Sequence, residues 1–260
     1  MRRLVLLLVV LIPLSSAADS SLPFMKDLAG DANLPRPWGI SLDFYTMDQD
    51  YDIESLSFQL PGVSLGDPSE IDVTNEVRHF DLKADAWILP FLNVFGLVGR
   101  VNIDTLVDFS TADIQGLPPG VNLGRLPVSF DGTVWGGGFT LAYGTERWFT
   151  SVTTVWTKTS TSGDLDSKVT STVVQPRIGL LRSGWRFWVG GMYLDTDEKH
   201  SGVFPLPFIG DVPFEVDLKT SDNWNYTVGA GYELNDRVNL SLEAGFGNRQ
   251  HSLFNFNVRF

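Results

Sequence analysis

Residues 224–246 read WNYTVGAGYELNDRVNLSLEAGF, and this segment contains the strongest structural signal in the chain. Apolar and aromatic residues occupy every second position of two runs, 224–234 and 238–246, with small or polar residues between them. A period of two places the apolar residues on one face of a β-strand. The dipeptide Asn235-Asp236, which separates the runs, is a turn sequence. The segment therefore predicts an antiparallel hairpin whose two strands each have one apolar face.

The same alternation recurs along the chain, so we expect ten strands in all. The other eight strands are centred on residues 38–44, 80–88, 95–103, 135–143, 148–156, 174–180, 185–193 and 254–260. Tight turns alternate with longer links, which lie near residues 53–70, 110–127, 160–167 and 197–221. Short turns on one rim and longer loops on the other are typical of transmembrane β-barrels. We therefore predict an all-β fold, a closed antiparallel transmembrane β-barrel of about ten strands with short periplasmic turns and longer extracellular loops.

Tryptophan residues occur near both ends of the predicted strands. Trp148 and Trp185 lie by the short turns, whereas Trp156 and Trp224 lie near the longer links. Two groups of this kind are typical of the two membrane interfaces, where amphipathic rings are favoured. The competing interpretation is a soluble barrel with an apolar interior, as in lipocalin-like proteins. The aromatic groups favour the membrane barrel.

The N-terminus has the pattern of a secretory signal peptide. Arg2 and Arg3 precede an apolar run at residues 4–14, and small residues follow at 15–18. This pattern predicts cleavage after Ala17 or Ala18, and an uncleaved membrane anchor is the alternative. The domain organisation that we expect is a signal peptide at 1–18, an N-terminal periplasmic or plug segment at 19–37, and a transmembrane β-barrel at 38–260.

The composition excludes several classes of protein. The 260 residues carry a net charge of −12 and include no cysteine. Without cysteine there is no lipid anchor on a thiol, no disulfide and no thiolate metal site. The acidic balance argues against a nucleic-acid partner, because binding to phosphates requires basic patches. We expect no cofactor and no bound metal.

The chain ends with Phe254-Asn255-Phe256-Asn257-Val258-Arg259-Phe260, an alternating strand that terminates in phenylalanine. This strand resembles the terminal strand of bacterial outer-membrane β-barrel proteins. The resemblance implies an integral location in the outer membrane, in contact with membrane lipid and lipopolysaccharide. It also implies that the barrel-assembly machinery recognises Phe256, Val258 and Phe260. The oligomeric state stays open.

Charged residues fall on the face opposite the aromatic residues. A lysine or arginine facing hydrocarbon at the bilayer midplane costs about 2–4 kcal/mol, so these residues are expected to point into the lumen. The predicted lumen-lining residues are Lys83, Asp85, Arg100, Asp104, Arg177, Arg186, Glu233 and Glu243. They form either a salt-bridged plug that holds the barrel rigid or a narrow polar or ion-conducting path.

Three of the longer links contain apolar segments punctuated by proline and glycine. Apolar surface on an exposed loop usually has a partner. The predicted gate residues are Leu60, Pro61, Val63, Pro119, Val121, Leu123, Pro207, Phe208 and Ile209. These loops either pack together as a cap, form a gate for a small apolar ligand or lipid, or adhere to another cell.

The three histidines do not indicate an active site. His251 and the adjacent Ser252 point to opposite faces of a strand and cannot form a base–nucleophile pair. His79 shares a face with Asp81, but no nucleophile is indicated. His200 is predicted to lie in an acidic loop, which is solvated or attracts a divalent cation. We therefore do not expect this protein to be an enzyme.

The function that we expect is a small channel or uptake protein of the outer membrane, for small polar or apolar molecules. The alternative is a non-conducting structural or adhesive barrel, and a further alternative is an outer-membrane hydrolase.

Overall fold

The computed structural model describes residues 21–29, 34–58, 64–67, 70–110, 114–116, 124–161, 165–206 and 210–260. A short 3-10 helix, Lys26–Ala29, precedes thirteen strands in the described residues. The strands are β1 (Trp38–Phe58), β2 (Ser64–Leu65), β3 (Asp72–Leu89), β4 (Leu92–Asp108), β5 (Ile114–Gln115), β6 (Arg125–Gly144), β7 (Trp148–Thr161), β8 (Leu165–Arg182), β9 (Trp185–Leu206), β10 (Gly210–Thr220), β11 (Trp224–Glu233), β12 (Val238–Gly247) and β13 (Arg249–Arg259). No helix among the described residues is long and apolar enough to cross a bilayer.

Ten strands form a closed antiparallel ring in the order β1-β13-β12-β11-β9-β8-β7-β6-β4-β3. β1 closes the ring, because it pairs with β13 on one side and with β3 on the other. Gly39 is opposite Arg259 in the first pairing and opposite Asp85 in the second. Closure leaves no unpaired strand edge, as a barrel in lipid requires. The predicted ten-stranded antiparallel barrel is confirmed.

We call the end of the barrel that lies away from the chain termini the upper end. At the upper end the ring has eight strands. β11, β12 and β13 have 10 or 11 residues, whereas β1 has 21 and β9 has 22. β10 takes the place of the three short strands, since it pairs with the upper parts of both β9 and β1. The interior of an eight-stranded barrel is just filled by side chains. The upper ring can therefore hold a packed core.

Strand faces exchange their polarity between the two ends of the barrel. On β1, the outward-facing residues between positions 38 and 44 are aromatic or aliphatic. The outward-facing residues between positions 48 and 54 are acidic. On the inward face, Asp43 lies near the lower end, and buried Met47 and Ile53 lie further up. An apolar exterior is typical of a barrel in hydrocarbon, and an apolar interior with a charged exterior is typical of a barrel in water. The lower half is therefore the membrane-spanning part.

Exposed aromatic side chains border the membrane-spanning part at both ends. On β7, Trp148 and Trp156 point outward, and the eight residue steps from one to the other correspond to about 26 Å along the strand. Tyr143 and Trp185 share the lower border, and Trp224 shares the upper one. This spacing matches an apolar band about 25 Å tall between two aromatic girdles. The protein is an integral outer-membrane barrel.

The predicted long link at 197–221 is largely strand, and its prediction as a loop was wrong. The link at 197–221 contains the end of β9 and all of β10, and the link at 53–70 contains the end of β1. Residues 214–218 show why, because Phe214, Val216 and Leu218 alternate with acidic residues. The apolar members of this series enter the core of the upper ring and the charged members face water.

The N-terminal segment lies at the lower rim. The backbone N–H of Phe24 donates to the carbonyl of Ile88, 2.9 Å away, beside the β3–β4 turn. Arg36 forms an ion pair with Asp236 in the β11–β12 turn, with 2.6 Å between Nη2 and Oδ2. The predicted signal peptide lies outside the described residues and stays a prediction.

Candidate functional site in the barrel lumen

A cavity of about 540 Å³ occupies the lumen of the membrane-spanning part. Inward-facing residues of all ten ring strands line it, from Trp87 and Arg259 at the lower rim to Thr159 and Glu198 at its upper end. Small hydroxyl residues such as Ser151 and Thr153 form much of the β7 side. Hydroxyl groups on this side of the cavity can bind water, which an apolar lining cannot.

One wall of the cavity is formed by β13, β1 and β3. Lys83 Nζ lies 2.8 Å from Asp43 Oδ2, which joins two neighbouring strands. Arg259 forms an ion pair with buried Asp85, and Asn93 Nδ2 donates to the same carboxylate at 2.6 Å. Each of these four charges has a partner on the wall itself, as charges removed from water require.

The opposite wall is formed by β8, β9, β11 and β12. Arg177 donates from Nε and Nη2 to the carboxylate of Glu243, at 2.7 and 2.9 Å. Trp188 Nε1 donates to Glu243 Oε2 at 2.5 Å. The pair joins β8 to β12 past the two intervening strands β9 and β11.

Glycines in the wall allow large side chains to lie flat against it. A Cβ on Gly229 would be 2.2 Å from the indole of Trp188, and one on Gly245 would be 2.0 Å from the ring of His251. A Cβ on Gly138 would be 2.8 Å from the ring of Phe95. A side chain at any of these positions would have to displace the neighbouring ring. The glycines therefore keep the centre of the lumen open by giving aromatic rings a place on the wall.

Two apolar clusters border the upper part of the cavity and continue above it. The lower apolar cluster consists of the buried side chains Met47, Val77, Val101, Ile103 and Leu194. The upper apolar cluster consists of Tyr51, Ile53, Ile71, Val73, Phe109 and Leu218. An apolar cavity of about 70 Å³ remains beside the upper cluster, lined in part by Phe130 and His200. The lumen thus carries its charged pairs in the lower part and its apolar clusters towards the upper end.

His200 is buried inside the upper ring between a serine and a glutamate. Its Nδ1 is 2.7 Å from Ser167 Oγ, and its Nε2 is 3.0 Å from Glu198 Oε2. Burial raises the pKa of the neighbouring Tyr51 phenol well above its usual range, and Glu198 adds to this rise. The three residues have the order of a nucleophile, a base and an orienting acid, but Ser167 is only 1% exposed. A substrate carbonyl cannot reach this serine, so the geometry indicates a structural hydrogen-bond chain.

The predicted surroundings of His200 were wrong. His200 lies on β9 and not in a loop, and it points inward together with Glu198. Asp195 and Asp197 alternate with them and are exposed on the outer face. Because the two sets point to opposite faces of one strand, they do not converge on a cation.

Six of the eight predicted lumen residues line the cavity, namely Lys83, Asp85, Arg177, Arg186, Glu233 and Glu243. Arg100 and Asp104 do not, and for them the prediction is corrected. They lie on the outer face of β4, where Arg100 is exposed and Asp104 accepts a hydrogen bond from Ser129 Oγ at 2.6 Å. Their neighbours Val101 and Ile103 point inward into the lower apolar cluster.

The predicted gate residues Leu60, Pro61, Val63, Pro119, Val121, Leu123, Pro207, Phe208 and Ile209 lie outside the described residues. The C-terminal strand is described, and Phe256 and Val258 are opposite Leu42 and Ile40 of β1. The N–H of Phe260 donates to the carbonyl of Trp38, 3.0 Å away. These residues form the seam that closes the barrel, and their recognition by the assembly machinery stays a prediction.

Sequence reasoning missed two partners of the wall charges, Asp43 and Arg259. Both lie on the polar face of an alternating strand, and that signal was sufficient to find them. In the described part of the chain, no three histidine or acidic side chains are arranged to hold a metal ion.

No protein-family model matches the chain. No curated protein matches it either. Among solved structures, the chain is similar to the outer-membrane protein OprG from Pseudomonas aeruginosa, with 12% identity and a TM-score of 0.42 over 88% of this chain and 99% of that one. It is similar to the transport unit of the autotransporter AIDA-I from Escherichia coli, with 10% identity and a TM-score of 0.41 over 91% and 94%. It is also similar to an outer-membrane channel from Pseudomonas putida F1, with 12% identity and a TM-score of 0.38 over 89% and 98%.

Proposed function

We propose that this protein is an outer-membrane channel that takes up small molecules, and that the solute path includes the polar lumen cavity. The observation that carries the proposal is the cavity of about 540 Å³ between two walls of paired charges. A barrel whose only task is rigidity has no need of such a volume. Closely packed interiors contain few voids larger than a water molecule.

The arrangement of the ion pairs supports transport over a rigid plug. A plug needs charges that meet across the lumen, whereas Lys83–Asp43 joins the neighbouring strands β1 and β3. The glycines beneath Trp188 and Phe95 have the same effect, because they take the rings out of the centre. The side chains that could fill the lumen lie along its walls.

Planar-bilayer recording tests the proposal with a matched pair of variants on β7. Thr153 lines the cavity, and its neighbour Val152 faces lipid. Purified protein should give discrete conductance steps. Thr153→Trp should reduce them because an indole then stands in the lumen, and Val152→Trp should leave them unchanged.

Absence of discrete conductance, also after deletion of residues 19–37, would overturn the channel in favour of a structural barrel. Equal conductance in the two tryptophan variants would show that solutes do not pass through this cavity.

A further inference from the structure

Most basic residues on the outer surface at and above the upper aromatic border are paired with carboxylates. The pairs are Arg78–Glu76, Arg125–Asp108, Lys199–Asp217 and Lys219–Glu54. Three exposed cations, Arg100, Lys158 and Lys168, form no ion pair with any residue that the structure describes. The chain has 31 acidic and 19 basic residues, so a shortage of carboxylates does not explain these exceptions.

The three unpaired cations lie side by side on the outer face of the barrel. Arg100 of β4 is opposite Thr133 of β6, which is opposite Ser160 of β7. Ser160 is opposite Lys168 of β8, and Lys158 lies two residues from Ser160 on the same face. All five side chains are exposed, and we call these five residues the basic strip. Four neighbouring strands about 4.8 Å apart make the strip about 14 Å wide.

The surroundings of the basic strip leave its positive charge uncompensated. Lys168 is directly opposite Lys199 of β9, and like charges at directly opposite positions are destabilising. Asp217 lies 3.6 Å from Lys199 on the far side of β9, so Lys199 has a counter-charge and Lys168 has none. The ammonium group of Lys158 lies over the ring of Trp135 on β6, 5.9 Å from its centroid, and so on the side of the strip that holds Arg100. An anion bound at the strip would relieve this repulsion.

The basic strip lies at the level of the lipid headgroups. Trp156 marks the upper border on β7, and Lys158 follows two residues further up. Lys168 lies four residues above Thr172, which is opposite Trp156. Arg100 is eight residue steps from the start of β4, as Trp156 is from the start of β7. With about 3.3 Å per residue and a strand tilt of about 35–45°, the strip extends from the border to about 10 Å above it.

Other parts of the outer surface above the membrane repel anions. The exposed acidic residues on the upper parts of β1 and β9 are Asp48, Asp50, Asp52, Glu54, Asp195 and Asp197. On β6, Asp131 lies two residues above Thr133 and accepts a hydrogen bond from Asn102 Nδ2 at 3.1 Å. The surface charge is thus divided between an acidic side and the side that carries the basic strip.

We infer that the basic strip binds the phosphate groups of lipopolysaccharide in the leaflet around the barrel. The short periplasmic turns lie at the lower end, so the upper border is that of the outer leaflet. Lysine, arginine and hydroxyl groups donate hydrogen bonds to phosphate oxygens, and clustered basic residues at a membrane surface attract anionic lipids. A strip about 14 Å wide is larger than one phosphate, so it fits a headgroup that carries more than one. This site lies outside the lumen and is independent of the proposed channel.

Titration of the purified barrel with lipopolysaccharide in nonionic detergent tests the inference, with native mass spectrometry to measure the bound lipid. A chelator is present so that divalent cations cannot join phosphates to the acidic side. The triple variant Arg100→Gln/Lys158→Gln/Lys168→Gln should bind about 100-fold more weakly, because each basic residue at a membrane surface contributes roughly fivefold.

A matched control removes the same charge from paired residues. Arg78→Gln/Arg125→Gln/Lys219→Gln should keep the wild-type affinity, since each of these cations has a carboxylate partner. Different migration of boiled and unboiled samples in electrophoresis verifies that both variants are folded. Equal affinities of the two triple variants would overturn the inference, because overall charge and not the strip would then govern binding.

Three further ligands test the site on the wild-type protein, so this part of the experiment does not depend on the folding of a variant. Dephosphorylated lipopolysaccharide should bind about 100-fold more weakly than the intact lipid, and undiminished binding would overturn the role of phosphate. Phosphatidylglycerol has one phosphate and inorganic polyphosphate has no lipid, so both should bind more weakly than lipopolysaccharide. Equal binding of phosphatidylglycerol would overturn the multiply phosphorylated headgroup, and equal binding of polyphosphate would overturn the lipid in favour of a soluble anion.

Discussion

The substitution Glu243→Gln should destabilise the barrel, because it removes one partner of a buried ion pair in the lumen wall. Glu243 is 2% exposed and accepts three hydrogen bonds, two from Arg177 and one from Trp188. Breaking a buried ion pair by removing one partner costs about 3–5 kcal/mol. Arg177 is 17% exposed to a polar cavity, so water replaces part of the lost interaction. We expect a loss of about 2–4 kcal/mol in the free energy of unfolding.

A double-mutant cycle with Arg177→Met isolates the pair. Each single variant leaves one uncompensated charge in the wall, whereas the double variant leaves none. The double variant should therefore be more stable than the sum of the single losses predicts, with a coupling energy of about 2 kcal/mol. The measurement is urea unfolding in lipid vesicles, followed by the fluorescence of the eight tryptophans.

The exposed pair Lys199–Asp217, 3.6 Å apart on the outer surface, is the control for this cycle. Exposed pairs contribute about 0–1 kcal/mol, so its coupling should be small. If the Arg177 and Glu243 losses add within about 0.5 kcal/mol, the two side chains do not interact and the described wall is wrong.

Two further predictions test the polarity of the strands and the role of the glycines. Val98→Arg places a charge on the lipid face of β4 and should lower the free energy of unfolding in vesicles by about 2–4 kcal/mol. Leu106→Arg, on the same face above the membrane, should lower it by less than about 0.5 kcal/mol. Equal losses would contradict the assigned membrane border. Gly229→Val should push the Trp188 indole into the lumen and lower single-channel conductance. Gly96→Ala, whose Cβ would meet no atom closer than 3.8 Å, should leave it unchanged, and an unchanged conductance in both would show that Trp188 does not border the path.

The number and positions of the strands in the membrane-spanning part follow from local sequence. A period of two is a property of each strand alone, and its repetition in an even number of segments indicates a closed ring. The inward position of Lys83, Arg177 and Glu243 follows from the same periodicity, because a charge on the lipid face is costly. The structure confirms the fold for these reasons.

The orientation of β4 could not be found in this way. Val98 faces lipid, whereas Val101 and Ile103 face the lower apolar cluster, so both faces of the strand are apolar. Alternation separates two faces but does not say which one meets lipid when both hold apolar residues. Arg100 and Asp104 were assigned to the lumen for that reason, and the tertiary structure places them outside.

The sequence by itself determined that alternating strands form a closed barrel with a polar lumen in the membrane. Tertiary structure alone decided that the ring narrows to eight strands above the membrane, because this depends on β10 pairing with β1 and β9 in place of three short strands. That pairing joins residues 51–58 to residues 214–220, and no local pattern encodes contacts at such separation.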